Sequence, residues 1–166
     1  ENRLEIVNAD YHHGTMLSEV ANVRNLRAAQ KGLIFVVDVD PALPAVLNGD
    51  DVRIKQVVIN LLTNAVKYTE SGFVRFLVRG ERVLETLSLR VEVHDSGMGI
   101  KNEYIPLLFD AFSRVDLTAN RNIVGTGLGL AIARRLVHAM HGHIKVDSVY
   151  GKGSCFSFSL PQRIVD

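Results

Sequence analysis

The order of the predicted helices and strands most constrains how this chain of 166 residues can fold. Residues 33–39 are rich in β-branched side chains and predict a strand, and further strands are predicted over 73–80, 86–94, 143–149 and 153–160. Helices are predicted over 15–30, from Asp50 to about Gly72, over 103–112, and from the GTGLGL segment (125–130) to about His141. Because the strands come in adjacent pairs, this order favours an α/β sandwich of the α+β type, with one mixed, mainly antiparallel sheet covered by helices on one face, over a doubly wound parallel sheet.

Two segments in the first third of the chain carry clear local signals. The first helix has helical spacing of apolar residues, with Leu17, Val20, Val23 and Leu26 on one side. The segment PALPAVLNG, residues 41–49, is predicted to be a loop.

Composition excludes several classes of protein. A net charge of +1 gives no strong field for nucleic acid or for direct contact with a membrane, and no apolar run approaches the length of a bilayer span. The single cysteine, Cys155, excludes both a disulfide framework and a cysteine-based metal site within the chain. A reducing, cytoplasmic setting is the simplest interpretation.

The glycines of GTGLGL stand where the last predicted helix begins. The spacing matches neither a P-loop nor a dinucleotide fingerprint, and no strand precedes it. A glycine-rich helix start nevertheless lets a phosphate approach free backbone N–H groups and the positive end of the helix dipole. A merely flexible loop explains the glycines equally well at this point.

The helix after Asp50 carries a polar stripe beside its apolar face. The apolar face contains Ile54, Val58, Leu61, Leu62 and Ala65. Asn60, Asn64 and Lys67 follow one another at helical spacing in the polar stripe, and Tyr68 lies at its edge. Asparagine is a mediocre helix former, so two of them one turn apart favour a binding function over an ordinary solvated face. An amide oxygen can bind Mg²⁺, and a lysine can hold a phosphate.

Asp95 ends a predicted strand and is followed by Gly97 and Gly99. A carboxylate in that position can accept a hydrogen bond from an exocyclic amine such as that of adenine. An ordinary turn explains the Asp-Ser-Gly sequence well, but it explains the second glycine less well.

Taken together, these segments resemble the catalytic, ATP-binding domain of sensor histidine kinases, which has the Bergerat-type ATP-binding fold. QVVINLLTNAVKYTESG resembles the N box of that family, DSGMGI its G1 box, LLFDAFSR its F box and GTGLGLAI its G2 box. The resemblance spans about residues 33–160, and four boxes in the right order are far more specific than any single glycine loop.

The resemblance implies a role for each matching residue. Asn64 would bind Mg²⁺ with help from Asn60, Lys67 would contact phosphate, and Tyr68 would lie against adenine. Asp95 would bind the adenine amine. Arg114 would reach the γ-phosphate of ATP, and residues 113–124 would form a lid over the nucleotide. The remaining expected nucleotide contacts are Gly97, Gly99, Ile100, Phe112, Gly125, Thr126, Gly127, Leu128, Gly129 and Leu130.

Two other functions stay open. ATPases of the same superfamily carry a glutamate that activates water at the position matching Asn60, and an amide cannot act as a general base. This difference favours transfer of the phosphoryl group to another acceptor over hydrolysis. A degenerate nucleotide-binding regulatory module is the second alternative.

The acceptor itself is expected outside this chain. No histidine has the sequence context of the family's phosphoacceptor, and the cluster at His138, His141 and His143 is interpreted as a polar helix end rather than a metal site. Residues 1–14 are expected to end a linker from a dimerisation and phosphoacceptor domain, and residues 15–166 to form the catalytic domain. The expected partners are that domain and the receiver domain of a response regulator, in a parent protein that can be anchored in the membrane.

Overall fold

The computed structural model describes residues 5–109 and 129–165. Their elements follow in the order β1 (Ala9–His12), α1 (His13–Gln30), β2 (Ile34–Val39), β3 (Val46–Gly49), α2 (Asp51–Lys67), β4 (Phe73–Val83), β5 (Thr86–Asp95), a 3₁₀ helix (Asn102–Leu107), α3 (Gly129–Ala139), β6 (His143–Val149) and β7 (Gly153–Ile164).

The described strands form one mixed, mainly antiparallel sheet. Six of them lie in the order β1-β3-β7-β5-β4-β2, and β6 also pairs with β7. Only the pair β2–β4 is parallel among these pairings. The predicted α/β sandwich is therefore confirmed.

Strand alternation divides the sheet into a covered face and an open face. On β4 the residues Val74, Phe76 and Val78 are fully buried, whereas Arg75 between them is exposed. Strands β5 and β7 alternate in the same way, so their apolar residues meet the helices on a single face. The opposite face carries no helix in the described part of the chain. It presents charged side chains such as Arg75 together with exposed apolar ones such as Ile34.

Helix α2 lies at the centre of the helical layer, in contact with α1, α3 and the sheet. Its start is fixed by Asp50, whose side chain accepts a hydrogen bond of 3.2 Å from the backbone N–H of Arg53. The buried residues of α2 are Ile54, Val57, Val58, Leu61, Leu62, Ala65 and Val66, which include the whole predicted apolar face. The apolar pattern in the sequence therefore predicted correctly which side of α2 is buried.

Helix α1 is less amphipathic than its spacing suggests. Leu17 and Val20 are buried, but Val23 is 48% exposed and Leu26 is 68% exposed. Each step of three residues falls about 60° short of a full turn, so Val23 and Leu26 rotate away from the face that carries Leu17. The face that packs against the domain continues instead through Ala21, which is buried, and Arg24, which donates a hydrogen bond of 3.0 Å to Thr63 of α2. The second half contributes Ala28 to the core.

The prediction of a loop over 41–49 is wrong at its end, because residues 46–49 form β3. This strand pairs with β1 on one side and with the end of β7 on the other. It has only four residues, and its partners are distant in sequence. Such a short strand is stabilised by long-range pairing rather than by local propensity.

Three other predicted elements differ in extent or type. Strand β7 reaches Ile164, beyond the predicted end at residue 160. The predicted short helix over 103–112 is a 3₁₀ helix over Asn102–Leu107, which contains Pro106, and its last predicted residues lie outside the described ranges. Residues 9–12, within the segment interpreted as linker, pair with β3, and the linker boundary at residue 14 stays a prediction.

The alternation on β4 makes a testable prediction about stability. We expect Phe76→Ala to lower the free energy of unfolding by about 3–5 kcal/mol, because it removes a fully buried ring from the core. The adjacent substitution Arg75→Ala lies on the open face and should change stability by about 0.5 kcal/mol or less. Urea unfolding followed by circular dichroism measures both. Equal losses in the two variants would contradict the assignment of the faces.

Candidate functional site

A crevice lies where the end of α2 meets the end of β5 and the start of β7. It is lined by Asn64, Ala65, Tyr68, Asp95, Met98, Gly99, Ile100, Leu130, Ser154 and Phe156. One side of the crevice is polar, with a carboxylate, an amide and two hydroxyl groups, and the other is apolar. This composition fits a flat, partly polar ligand better than a fully charged one.

Asp95 is the half-buried acid of this crevice. It is the last residue of β5, and its Oδ1 accepts a hydrogen bond of 2.9 Å from the backbone N–H of Gly97. Burial raises the pKa of the Asp95 carboxyl above its ordinary value, although hydrogen bonds from the backbone of Gly97 and Ser154 act in the opposite direction. A carboxylate held in this way is a strong acceptor that water solvates poorly.

Both glycines after Asp95 are required by close packing. A Cβ atom at Gly97 would lie 2.5 Å from the carbonyl oxygen of Tyr68 and 2.9 Å from Oγ1 of Thr69. Gly99 has a φ of +72°, and a Cβ there would collide with the backbone of the turn after β6. The turn that carries these glycines is therefore pressed against the end of α2 and against the β6–β7 turn.

The end of α2 provides Asn64 and Tyr68 to the crevice but not Lys67. The backbone N–H of Tyr68 donates to the carbonyl oxygen of Asn64 at 3.0 Å and closes the last turn of the helix. The ammonium group of Lys67 lies 5.4 Å from the centroid of the Tyr68 ring. Lys67 lines a separate groove between α1 and α2, together with Arg24, Arg27 and Lys31.

Asn60 connects α2 to the start of α3. Its Nδ2 donates a hydrogen bond of 2.9 Å to the carbonyl oxygen of Gly129, the first residue of α3. A Cβ at position 129 would lie 2.7 Å from Oδ1 of Asn60, so a larger residue there would displace the Asn60 amide from this contact. The next residue, Leu130, is buried and lines the crevice. The two helices therefore meet beside the crevice through a polar contact.

The structure brings most of the described candidate residues together. Asn64, Tyr68, Asp95, Gly99, Ile100 and Leu130 line the crevice, and Gly97, Asn60 and Gly129 support its walls. Lys67 is the described candidate that lies apart from it. The predictions for Phe112, Arg114, Gly125, Thr126, Gly127 and Leu128, and for a lid over 113–124, fall outside the described residues.

Sequence reasoning missed four residues of the crevice, namely Ala65, Met98, Ser154 and Phe156. Ser154 lies directly opposite Asp95 in the register of β5 and β7, and Phe156 follows two residues later on the same face. The pairing of β5 with β7 joins residues that are distant in sequence, so no local pattern could predict which residues lie opposite each other. Met98 lies inside the recognised DSGMGI segment, so its position between two glycines was the available signal.

A larger cavity lies at the other end of α2. It encloses about 410 Å³, against about 30 Å³ in the crevice, and is lined among others by Asn48, Asp50, Met140 and Gln162. None of the predicted site residues lines it. Size therefore favours this cavity, but the convergence of a half-buried carboxylate, an amide and an aromatic ring favours the crevice as the functional site.

Comparisons with known proteins agree with this geometry. A family model described as histidine kinase-, DNA gyrase B- and HSP90-like ATPase matches residues 49–164. Hybrid signal transduction histidine kinase B of Dictyostelium discoideum is 40% identical over 160 residues, which is 96% of this chain and 8% of that protein. Sensor histidine kinase RcsC of Escherichia coli K12 is 44% identical over 123 residues, which is 74% of this chain and 12% of the relative.

Solved structures share the fold along almost the whole chain. Full-length ShkA in complex with AMPPNP superposes with a TM-score of 0.83 at 31% identity, over 99% of this chain and 33% of that one. A nucleotide-free catalytic domain of histidine kinase ThkA gives a TM-score of 0.72 at 25% identity, over 95% of this chain and 96% of that domain.

The family assignment follows from these matches. The chain spans only about a tenth of the curated relatives named above. None of the described helices is long and apolar enough to cross a membrane. Because the family model covers most of the chain and the fold agrees, this chain belongs to the histidine kinase-, DNA gyrase B- and HSP90-like ATPase family, and it is similar to the catalytic domains of histidine kinases.

Proposed function

We propose that the crevice binds ATP, and that this chain is the catalytic domain of a sensor histidine kinase. It transfers the γ-phosphoryl group of ATP to a histidine on a separate dimerisation domain. The observation that carries the proposal is the half-buried Asp95 carboxylate, which lines a crevice together with an asparagine and several apolar side chains.

Asp95 fits recognition of the base. Its Oδ1 is already bonded to the N–H of Gly97, so the carboxylate is held in one orientation before any ligand binds. A carboxylate accepts hydrogen bonds only, and therefore selects the exocyclic amine of adenine over the carbonyl oxygen at the same position of guanine. Met98, Ile100 and Phe156 supply apolar contacts for a flat ring.

The phosphate groups fit at the end of the crevice nearest α3. Asn64 lines the crevice there, and its amide oxygen is a suitable ligand for Mg²⁺. When bound, Mg²⁺ would neutralise part of the charge on the phosphate oxygens. The N-terminal end of α3, which Asn60 holds in place, favours negative charge through its free N–H groups. The roles of Arg114 and of the glycines at 125 and 127 rest on the resemblance.

Asn60 supports phosphoryl transfer over hydrolysis. Its amide has no basic group, and its Nδ2 is engaged with the carbonyl oxygen of Gly129. It therefore cannot take a proton from water, which is the task of the glutamate at this position in the ATPases of the superfamily. The hydrolytic alternative is less well supported than transfer because of Asn60. The purely regulatory alternative is less well supported because the crevice retains Asn64 and Asp95.

Transfer to a histidine outside this chain requires partner domains. The acceptor histidine belongs to the dimerisation domain of the parent protein, and a receiver domain takes the phosphoryl group onward. Two of the relatives are named hybrid or sensor kinases. We place the domain in the cytoplasm, where ATP is available, in a parent protein that can be membrane-anchored.

The first test separates binding from stability at Asp95. Asp95→Asn should weaken ADP and ATP analogues alike by about tenfold or more, because it removes a charge-assisted hydrogen bond to the base. It should not lower the free energy of unfolding at pH 7, because burial opposes the charged form of this group. Calorimetry and thermal melts measure the two quantities.

The pH dependence follows with a definite sign. The folded-state pKa of Asp95 is raised, so the folded state holds this proton more tightly than the unfolded state. The contribution of Asp95 to stability therefore falls as the pH rises from about 4 through the folded pKa. The Asp95→Asn variant should lack this fall, and the exposed control Glu81→Gln should retain it. An Asp95→Asn variant that binds nucleotide normally would refute the assignment of the base site.

The second test concerns the metal. Asn64→Ala should weaken binding of a non-hydrolysable ATP analogue more in the presence of Mg²⁺ than in EDTA. Alanine is the better helix former, so the substitution should not unfold α2. Gln56→Ala, an exposed change on the same helix, is the control. Equal effects of Asn64→Ala with and without Mg²⁺ would assign Asn64 to another role.

The third test asks where the γ-phosphoryl group goes. The chain alone should bind ATP but show slow hydrolysis and little self-phosphorylation. Mixed with its own dimerisation domain, it should produce an acid-labile, base-stable phosphoprotein from labelled ATP. Arg114→Ala should slow this transfer more than it weakens ADP binding, because ADP has no γ-phosphate. Fast multiple-turnover hydrolysis without phosphohistidine would favour the ATPase alternative.

A further inference from the structure

The open face of the sheet carries three neighbouring side chains of kinds that bind metal ions, namely Glu92, His94 and Cys155. His94 of β5 and Cys155 of β7 are direct partners in the antiparallel register, and Glu92 precedes His94 by two residues on the same face. The three ligand atoms all lie within 4.8 Å of one another. The cluster comes from two strands that are more than fifty residues apart in sequence, so only the tertiary structure reveals it.

The distances within the cluster are close to those of a metal site. Glu92 Oε1 lies 2.8 Å from His94 Nε2, and Cys155 Sγ lies 3.5 Å from the same nitrogen. Ligand atoms bound at about 2.0–2.3 Å in a tetrahedron are about 3.3–3.8 Å apart. Small rotations of the Glu92 and His94 side chains therefore suffice to admit an ion.

The surrounding residues leave the ligand atoms available. Arg90 Nε donates to Oε2 of Glu92 at 2.6 Å, which orients the carboxylate and leaves Oε1 toward His94. A second partner on the distal oxygen is typical of carboxylates that bind metals. Asp147 of β6 pairs with Cys155 on its other side, so its carboxylate can reach the same face. Asp147 or a water molecule can supply a fourth ligand.

The thiol is poorly suited to act as an oxidation sensor. Burial, together with the negative charge of Glu92 and Asp147, raises the pKa of Cys155 to about 11. A thiol that stays protonated at neutral pH is a weak nucleophile and reacts slowly with oxidants.

We propose that Glu92, His94 and Cys155 form a binding site for Zn²⁺ on the open face of the sheet. Thiolate, imidazole and carboxylate are ligands that suit Zn²⁺ and do not suit Mg²⁺. On binding, the thiol releases its proton to solvent, and the thiolate with the carboxylate balances the two positive charges of the ion. A single cysteine excludes a site built from cysteines, but it does not exclude this mixed set of ligands.

The site lies next to the nucleotide crevice, but on the other face of the sheet. The next residue pair in the register of β5 and β7 is Asp95 with Ser154, and both of these residues line the crevice. Zn²⁺ would therefore join the ends of β5 and β7 directly behind Asp95. The proposal does not depend on the identity of the nucleotide.

Titration of the chelator-treated chain with Co²⁺ and Zn²⁺ tests the proposal. Co²⁺ should give a thiolate-to-metal absorption band in the near ultraviolet, and one equivalent of Zn²⁺ should remove it. Cys155→Ser should abolish the band, and His94→Gln and Glu92→Gln should each weaken Zn²⁺ binding by about tenfold or more. Zn²⁺ should raise the melting temperature of the parent chain but not that of Cys155→Ser.

His143→Gln is the matched control. His143 is an exposed residue of β6, and its ring lies 6.5 Å from that of His138. These two histidines are therefore the alternative source of adventitious Zn²⁺ binding. This variant should bind Zn²⁺ as the parent does. Circular dichroism in chelator verifies that all variants fold, and Cys155→Ala replaces Cys155→Ser if the serine variant does not. Zn²⁺ binding that survives in the folded Cys155 variant, or that is lost in His143→Gln, overturns the proposal.

Discussion

The antiparallel register between β5 and β7 is the constraint on which both sites depend. It runs without a break from the pair Thr86–Arg163 to the pair Asp95–Ser154. Because side chains alternate across a sheet, a slip of one residue would move Asp95 out of the crevice and bury His94 instead. The buried residues on the covered face of both strands, such as Val93 and Phe156, hold this register by their packing under the helices.

The crevice is placed where the fold is locally least favourable. Asp95 is buried enough to raise its pKa, and Gly97 and Gly99 occupy positions that a side chain would block. Burial of a carboxylate opposes folding unless a partner compensates, and the backbone N–H groups here compensate only in part. An acceptor that is incompletely solvated and fixed in direction is suited to a ligand that brings its own donor.

Helix α2 has one side that packs in the core and another side that contributes residues to the crevice. Its apolar residues fill the space between the sheet and the other helices, which fixes the rotation of the helix about its axis. That rotation directs Asn64 into the crevice and Asn60 toward the start of α3. The same rotation leaves Lys67 in the groove beside α1, so a phosphate contact by Lys67 requires its flexible side chain to move away from Tyr68.

The sequence by itself determined the local elements and most of the crevice. The apolar period of α2, the β-branched content of β2 and the glycines after Asp95 are local signals, and the helix, the strand and the turn are found where these signals predict them. Asn64 was identified because asparagine is a poor helix former, and Asp95 because two glycines follow it. Tyr68 was identified from its position at the edge of the polar stripe, and the roles of all three came from the family resemblance. Their signal did not depend on knowing which strands are neighbours.

Only the tertiary structure decided what depends on pairing between distant segments. Strand β3 was predicted as loop because its four residues are stabilised by β1 and β7 rather than by their own propensity. The exposure of Val23 and Leu26 depends on which face of α1 packs against α2 and the sheet, and that face contains Leu17, Ala21 and Ala28. Ser154 joins Asp95, and Cys155 joins His94, through a register between strands whose partners are about sixty residues apart. A local pattern contains no information on such a register, because it is fixed by the packing of the whole sheet against the helices.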